Sequence, residues 1–230
     1  MDNLIKVKIP DEEYFRSEIK CQYACPVNTK AGRYVQALAK QEFDQAYTLA
    51  RETNPFVYIC GRICAHPCET SCRRGLLDQP ISIRALKRSA TDHHNLGLGH
   101  GPGFIPPAEK RGTVAVIGAG PAGLSCAHDL ARRGYAVTIF ETSSIPGGML
   151  YLGIPVYRLP RDIIKLEIDN ILNLGVEIKT GCRVGENFTL SGLKKQGYAA
   201  IFIATGAQVS RSLNLPGIEL DGVFNGIEFL

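Results

Sequence analysis

The sequence predicts an α + α/β protein, with an all-helical domain over residues 1–95, a linker over 96–112 and an α/β domain over 113–230. Three observations carry that reading. Apolar residues in the front part recur at helical spacing. Residues 96–112, LGLGHGPGFIPPAEKRG, are crowded with glycine and proline, which interrupt either periodicity. Residues 113–123, TVAVIGAGPAG, then turn an apolar strand into a helix through spaced glycines.

Taken in order, residues 11–20 read as a short helix. Ala31 to Gln41 follow, with Tyr34, Val35 and Leu38 on one face. Glu42 to Thr53 place Phe43, Ala46, Tyr47 and Ala50 at i, i+3, i+4, i+7, and Asn54-Pro55 ends that helix. Residues 56–75 read as loop and short turns, interrupted by Pro67. A further helix is predicted from Ser82 to about His94. Beyond the linker, strand 113–117, helix 121–133, strand 136–140 and the acid Glu141 make a βαβ opening. A long loop over 143–160 precedes a helix over 161–174. VEIKT (176–180) and YAAIFIAT (198–205) are further strands, the second apolar enough to be buried on both faces.

With 45% hydrophobic and 21% charged residues in 230, the chain has the composition of a globular protein with a real core. Its apolar runs are far too short to span a bilayer. The start, MDNLIKVKIPDEEYF, holds acids and no apolar stretch, so a signal peptide is not expected. The net charge of +4 resides in residues 1–112, which carry 16 basic and 12 acidic side chains against 10 of each afterwards. Arg62, Arg73, Arg74, Arg84, Lys87 and Arg88 supply much of it. No aromatic stacking platform or helix-turn-helix pattern accompanies them, so a nucleic-acid partner is not expected. As a group they read as an offset to a negatively charged metal centre.

Six of the eight cysteines fall in the first 72 residues. Cys21 and Cys25 form a C-x3-C followed by Pro26, and Cys60, Cys64, Cys68 and Cys72 recur every fourth residue. Without an export signal, such a set indicates a reducing, cytoplasmic compartment and metal ligation over disulfides. Iron–sulfur clusters need soft thiolates converging on one point. Zinc is the rival, but its sites usually come as C-x2-C pairs, which three consecutive C-x3-C steps fit poorly. Six cysteines fill one [4Fe-4S] cubane with two to spare, or two cubanes only with other ligands, and spacing alone does not divide them. His66 could ligate but reads more readily as a polar loop residue. Cys126, on the apolar face of its helix, and Cys182, in a strand-edge turn, read as structural.

In the α/β part, Gly118 permits the tight turn, Gly120 lets the backbone approach a pyrophosphate and Gly123 lets helix pack on strand. Phosphates then sit on free N–H groups at the helix N-terminus. Glu141 ends the second strand 23 residues after Gly118, where a carboxylate can reach a ribose hydroxyl. That Rossmann-like fingerprint is shared by NAD and FAD. The GGMLYLGIP loop (147–155) and the strand ending Ala204-Thr205-Gly206-Ala207 resemble two-dinucleotide flavoproteins, in which the first such unit holds FAD.

CQYACPVNT, NPFVYICGRICAHPCETSCRRG, ISIRALKRSATD, VAVIGAGPAGLSCA, GGMLYLGIPVYRLP and FIATGA together resemble the small subunit of NADPH-dependent glutamate synthase. The same module is similar to the N-terminal part of dihydropyrimidine dehydrogenase and to a subunit of electron-bifurcating transhydrogenases. The resemblance runs from about Cys21 to Leu230. It implies that NADPH reduces FAD and that [4Fe-4S] clusters relay electrons to a partner subunit or domain. By position it implies Cys21, Cys25, Cys64, Cys68 and Cys72 as cluster ligands. It also implies a FAD site drawn from Gly118, Gly120, Pro121, Ala122, Gly123, Glu141, Gly148, Met149, Leu150, Arg158, Val184, Ala204, Thr205 and Gly206.

Three departures bear on the clusters. No C-x2-C precedes Cys21. Lys87 stands where the family uses Gln or Glu as a ligand. Cys60 is an additional thiol that can serve as a replacement. One cluster is therefore expected, with a second resting on an incomplete ligand set. The family continues after the position of Leu230 with an NADPH-binding unit and a closing FAD segment, so the α/β part reads as incomplete at its C-terminus. The resemblance thus implies an FAD- and iron–sulfur-dependent NAD(P)H oxidoreductase module within a hetero-oligomer, with no general acid–base residues required of it. The alternative is an iron–sulfur docking module whose flavin site does not function.

Overall fold

In the computed structural model, which describes residues 9–94, 111–211 and 213–230, the chain divides into two compact units, Met1–Gly99 and His100–Leu230. Apart from residues 111 and 112, the predicted linker lies outside the described residues.

The first unit is helical. Helix α1 (Glu12–Glu18) starts at Asp11, whose carboxylate accepts the Tyr14 N–H at 2.8 Å. A single turn, α2 (Lys20–Tyr23), carries Cys21. Helices α3 (Ala31–Ala39) and α4 (Phe43–Arg51) then bury Ala31, Tyr34 and Ala37, and Ala46, Tyr47 and Ala50, as the 3.6-residue period requires.

The stretch expected to be loop is more ordered than that. Val57–Ile63 forms helix α5, Pro67–Thr70 forms α6, and Arg73–Leu76 forms a 3₁₀ turn. Cysteine and glycine are weak helix formers, which hid α5 from a propensity reading. Tertiary packing overrides them, because Val57, Tyr58, Ile59 and Gly61 are all buried. Pro67 does not interrupt a helix but opens one, at a first position whose N–H would be unpaired anyway. Helix α7 (Ile83–His93) closes the unit, with Ile83, Lys87, Ala90 and Thr91 forming its buried stripe. A methyl on Gly61 would stand 3.1 Å from the Arg88 backbone, so α5 and α7 pack backbone to backbone there.

The second unit contains a four-stranded parallel sheet ordered β3-β2-β1-β4. Its strands are β1 (Thr113–Ile117), β2 (Ala136–Phe140), β3 (Glu177–Lys179) and β4 (Ala200–Ile203). In the central pair Val114 stands beside Val137 and, on the other side, Ala200. Helix α8 (Pro121–Arg132) links β1 to β2, and the short α9 (Met149–Leu152) and α10 (Arg161–Leu172) follow β2. Val114 to Ile117 and Val137 to Phe140 are buried almost without interruption, apart from the borderline Thr138, as expected of central parallel strands.

Three details differ from the sequence expectation. The 143–160 loop contains α9, and α11 (Leu190–Lys195), opened by Thr189 Oγ1 accepting the Gly192 N–H at 3.0 Å, was not anticipated, nor was α12 (Gly226–Phe229). Strand β4 is not buried on both faces, since Phe202 is 41% and Ile203 59% exposed. It is an edge of the sheet, and the described residues leave much of it uncovered. Cys126 on α8 is only half-buried. Cys182 packs against the cluster of Ala115, Ile117, Phe140 and Leu193, in keeping with a structural role.

Candidate functional site: a nucleotide groove and a cysteine centre

The turn from β1 into α8 is built by what its glycines lack. Gly118 adopts φ +106°, and a methyl there would lie 2.4 Å from the Ala204 carbonyl oxygen on β4's exit. A methyl on Gly123 would lie 1.9 Å from the Gly118 carbonyl oxygen, so the helix seats on the turn only without a side chain. Gly120 is different, because nothing stands within 4 Å of where its Cβ would be. No side chain caps α8, and Pro121 occupies its first turn. Its first amides therefore remain available to an anion lying along Gly120.

Glu141 is 8% exposed and fastens this loop. Its Oε2 accepts the Ala119 N–H at 2.6 Å and its Oε1 accepts the Ser143 N–H at 2.8 Å. One carboxylate thus ties the β1–α8 turn to the segment after β2. Its remaining lone pairs are free for a ribose hydroxyl. Glu141→Ala leaves two backbone N–H groups without their charged acceptor and is expected to cost about 2 kcal/mol. A lowered urea midpoint at unchanged m-value checks this.

Along these elements runs a groove of about 290 Å³. Gly118, Gly120, Pro121, Ala122, Glu141, Gly148, Met149, Ala204, Thr205 and Gly206, all named from the sequence, line it. Val184 lines an adjoining hollow of about 420 Å³ that shares Gly118, Glu141, Thr205 and Gly206. Gly123 lies beneath the turn. Leu150 is buried and Arg158 exposed, and neither lines either cavity. Sequence reasoning missed Thr142, Ser143, Ile145, Leu152, Ala207 and Gln208. The signal available for the first two was their place directly after the carboxyl end of β2, where open α/β sheets bind ligands. An open, mostly apolar trough with free helix-end amides and a ribose-height carboxylate fits an adenine dinucleotide such as FAD.

In the helical unit all six front cysteines are half-buried. No three of them stand within reach of a single metal ion among the described residues. Burial pushes the Cys68 thiol up to about 11 against the pull of the Lys87 ammonium, with Cys64, Glu69 and Cys25 adding to the rise. Burial also raises Cys25, but the Thr29 hydroxyl, the Thr29 and Val27 amides and Lys87 outweigh it and leave that thiol below its ordinary value. Cys25 Sγ lies 3.5 Å from Thr29 Oγ1. Cys21 is raised by burial and further by Cys72, while the Gln22 amide opposes the shift. Lys87 thus bears on Cys25 and Cys68, and Cys72 on Cys21.

Tyr34, fully buried, is raised above its ordinary value by burial and further by Cys68, Cys25, Cys21 and Cys64, and its hydroxyl donates to the Ile83 carbonyl at 3.2 Å. The His66 N–H donates to Cys64 Sγ at 3.1 Å from a left-handed backbone of φ +48°. Such amide-to-sulfur bonds stabilise a thiolate ligand. The His66 ring instead approaches Glu69, with Nδ1 3.2 Å from Oε2 but out of line for a hydrogen bond. Cys60 sits one helical turn before Cys64, with Sγ 3.9 Å from Asn54 Oδ1. Soft sulfur donors, partly desolvated and supported by an amide and a cation, fit an iron–sulfur cluster.

Residues 16–96 match the family model described as dihydropyrimidine dehydrogenase domain II, 4Fe-4S cluster. Residues 112–229 match the model described as pyridine nucleotide-disulphide oxidoreductase. The chain is 40% identical over 202 residues to the NADPH-Fe(3+) oxidoreductase subunit beta of Geobacter sulfurreducens, covering 86% of this chain and 29% of that protein. It is 36% identical over 218 residues to a Schizosaccharomyces pombe glutamate synthase [NADH], covering 91% of this chain and 10% of the other. It is 35% identical over 231 residues to the NAD-dependent dihydropyrimidine dehydrogenase subunit PreT of Escherichia coli K12, covering 99% and 55%. The chain thus spans only part of the length of these curated relatives.

Proposed function

Since the chain belongs to the pyridine nucleotide-disulphide oxidoreductase family and carries a 4Fe-4S domain ahead of that fold, we propose that it is the electron-relay portion of an NAD(P)H oxidoreductase. Electrons would pass between FAD in the α/β unit and [4Fe-4S] in the helical unit, and on to a partner subunit or domain. NAD(P)H would be bound by a part of the protein outside these 230 residues. The observation that carries the reading is the pairing, in one chain, of a dinucleotide groove at Gly118–Gly123 with six half-buried cysteines in the helical unit, four of which bear on the buried Tyr34.

Bound there, flavin and cluster supply the interconversion of a hydride's electron pair and single electrons. The chain's own residues bind and orient. Gly120 and the first turn of α8 receive the pyrophosphate, Glu141 the ribose, and Thr205 and Gly206 border the adjoining hollow. Leu150 and Arg158 are kept as flavin contacts on the resemblance alone. Cys25, Cys60, Cys64 and Cys68 are proposed as one ligand set, with Cys60 in α5 and Cys64 at the end of that helix. Cys21 and Cys72 are proposed as half of a second. The domain limits 1–95 and 113–230 are kept in this reading.

Two of the three relatives cited are subunits, which supports a multi-subunit setting. A cytoplasmic site is proposed from the number of cysteines in the sequence. No helix among the described residues is long and apolar enough to cross a membrane.

Anaerobic purification of the full-length protein followed by iron, sulfide and flavin analysis tests the proposal. Equal iron and sulfide together with flavin is expected. Zinc in place of iron, or iron without flavin, would overturn it, the latter in favour of the docking-module alternative.

A further inference from the structure

Lys87 occupies a place where an apolar side chain is expected. It shares the buried stripe of α7 with Ile83, Ala90 and Thr91, at i, i+4, i+7 and i+8, and is only 7% exposed. A buried ammonium is costly unless something negative faces it. No carboxylate pairs with Lys87 among the described residues. Its nitrogen lies 5.9 Å from the centre of the Tyr34 ring, which is fully buried. About one turn earlier on the same helix, α7 meets the cysteine segment directly, the Arg84 N–H donating to Glu69 Oε1 at 2.7 Å and the Arg84 guanidinium to the Cys64 carbonyl at 2.9 Å. Four arginines of this unit behave differently. Arg62 and Arg88 pair with Asp92, Arg73 with Glu18, and Arg74 with Asp78. Their charges are spent on carboxylates, and that of Lys87 is not.

We propose that Lys87 is the built-in counter-cation of the cluster on Cys25, Cys64 and Cys68, favouring its reduced form. This rests on the iron–sulfur reading given above. A fixed positive charge in a partly desolvated pocket stabilises the added electron, because Coulomb energy grows as the local dielectric falls. Cluster potential follows net charge, sulfur hydrogen bonds and exposure, and here Lys87 supplies the first of these while the His66 N–H supplies the second. The Tyr34 ring shields the pocket from water and keeps the ammonium's influence undiluted. Its hydroxyl, tied to the Ile83 carbonyl, holds that ring against α7.

The test is a redox titration of the full-length holoprotein, followed by electron paramagnetic resonance, for Lys87→Met, Lys87→Gln and Lys87→Arg. Iron and sulfide are measured in each. The neutral variants should keep their iron and sulfide while the equilibrium constant for one-electron reduction falls at least tenfold, a shift of about 59 mV to more negative potential. Lys87→Arg should stay within about threefold of the parent, or about 30 mV. Unchanged potentials in cluster-loaded Lys87→Met or Lys87→Gln would overturn the proposal. Loss of iron from both neutral variants would overturn it too, since Lys87 would then hold the cluster in place instead of setting its potential. A parent protein without iron–sulfur signals would instead refute the reading on which the proposal depends.

Discussion

Gly123→Ala should strip the full-length protein of flavin and destabilise the α/β unit by about 3 kcal/mol, the upper part of the range for forced overpacking. The added methyl would lie 1.9 Å from the Gly118 carbonyl oxygen and 3.2 Å from Val116 Cγ1. That carbonyl cannot retreat freely. Gly118 is held by its own N–H, which donates to the Phe140 carbonyl at 2.8 Å, and by the close approach of the Ala204 backbone. Relief therefore requires moving α8 off β1, which disturbs the groove and the sheet together. Gly120→Ala is the companion. A methyl there meets no protein atom within 4 Å and the backbone φ of −78° suits alanine. Stability should be unchanged, while flavin binding weakens at least tenfold because the methyl occupies the line of pyrophosphate approach. Thermal melts with flavin fluorescence separate the two effects.

Cys68→Ser should remove a whole cluster, about four irons per chain, and leave the flavin in place. Cys68 is the sulfur most entangled with its neighbours: Lys87, Cys64, Glu69 and Cys25 all bear on its charge. A serine hydroxyl is a hard, weakly acidic donor and does not replace a thiolate on iron. Cys126→Ser and Cys182→Ser are the controls. Cys182 packs on the Phe140 cluster and Cys126 lies on α8, so both variants should retain full iron. Iron and sulfide assays on all three proteins, purified without oxygen, decide the matter.

How much of this was visible in the sequence varied with its physical origin. The β1–α8 turn was legible because only glycine tolerates such close backbone approaches, and the spacing Gly118, Gly120, Gly123 records that constraint directly. Strand β1 and its partner β2 were legible for the same local reason, an unbroken apolar run. The exposure of β4 was not, since AIFI states how apolar the strand is and not which layer covers it. Helix α5 was hidden because its stability comes from Gly61 meeting the Arg88 backbone, a contact between residues far apart in the chain. Individual cysteines were easy to name from spacing, but their surroundings were not, since these depend on how the helices pack about Tyr34, on whose charge Cys68, Cys25, Cys21 and Cys64 all bear. In sequence Lys87 read as one basic residue among six and, by the resemblance, as a departure at a ligand position, while its burial on α7 was not visible there.

The account's central claim is that electrons move between a flavin and a thiolate-bound iron–sulfur centre held by this chain. Anaerobic addition of NADPH or NADH to the full-length protein, followed at once in the visible spectrum and by low-temperature electron paramagnetic resonance, tests it most directly. Bleaching of the flavin band accompanied by a reduced-cluster signal, lost in Cys68→Ser, is the predicted result. Flavin that bleaches while the iron–sulfur centre stays oxidised, in a protein whose cluster dithionite can reduce, would contradict it.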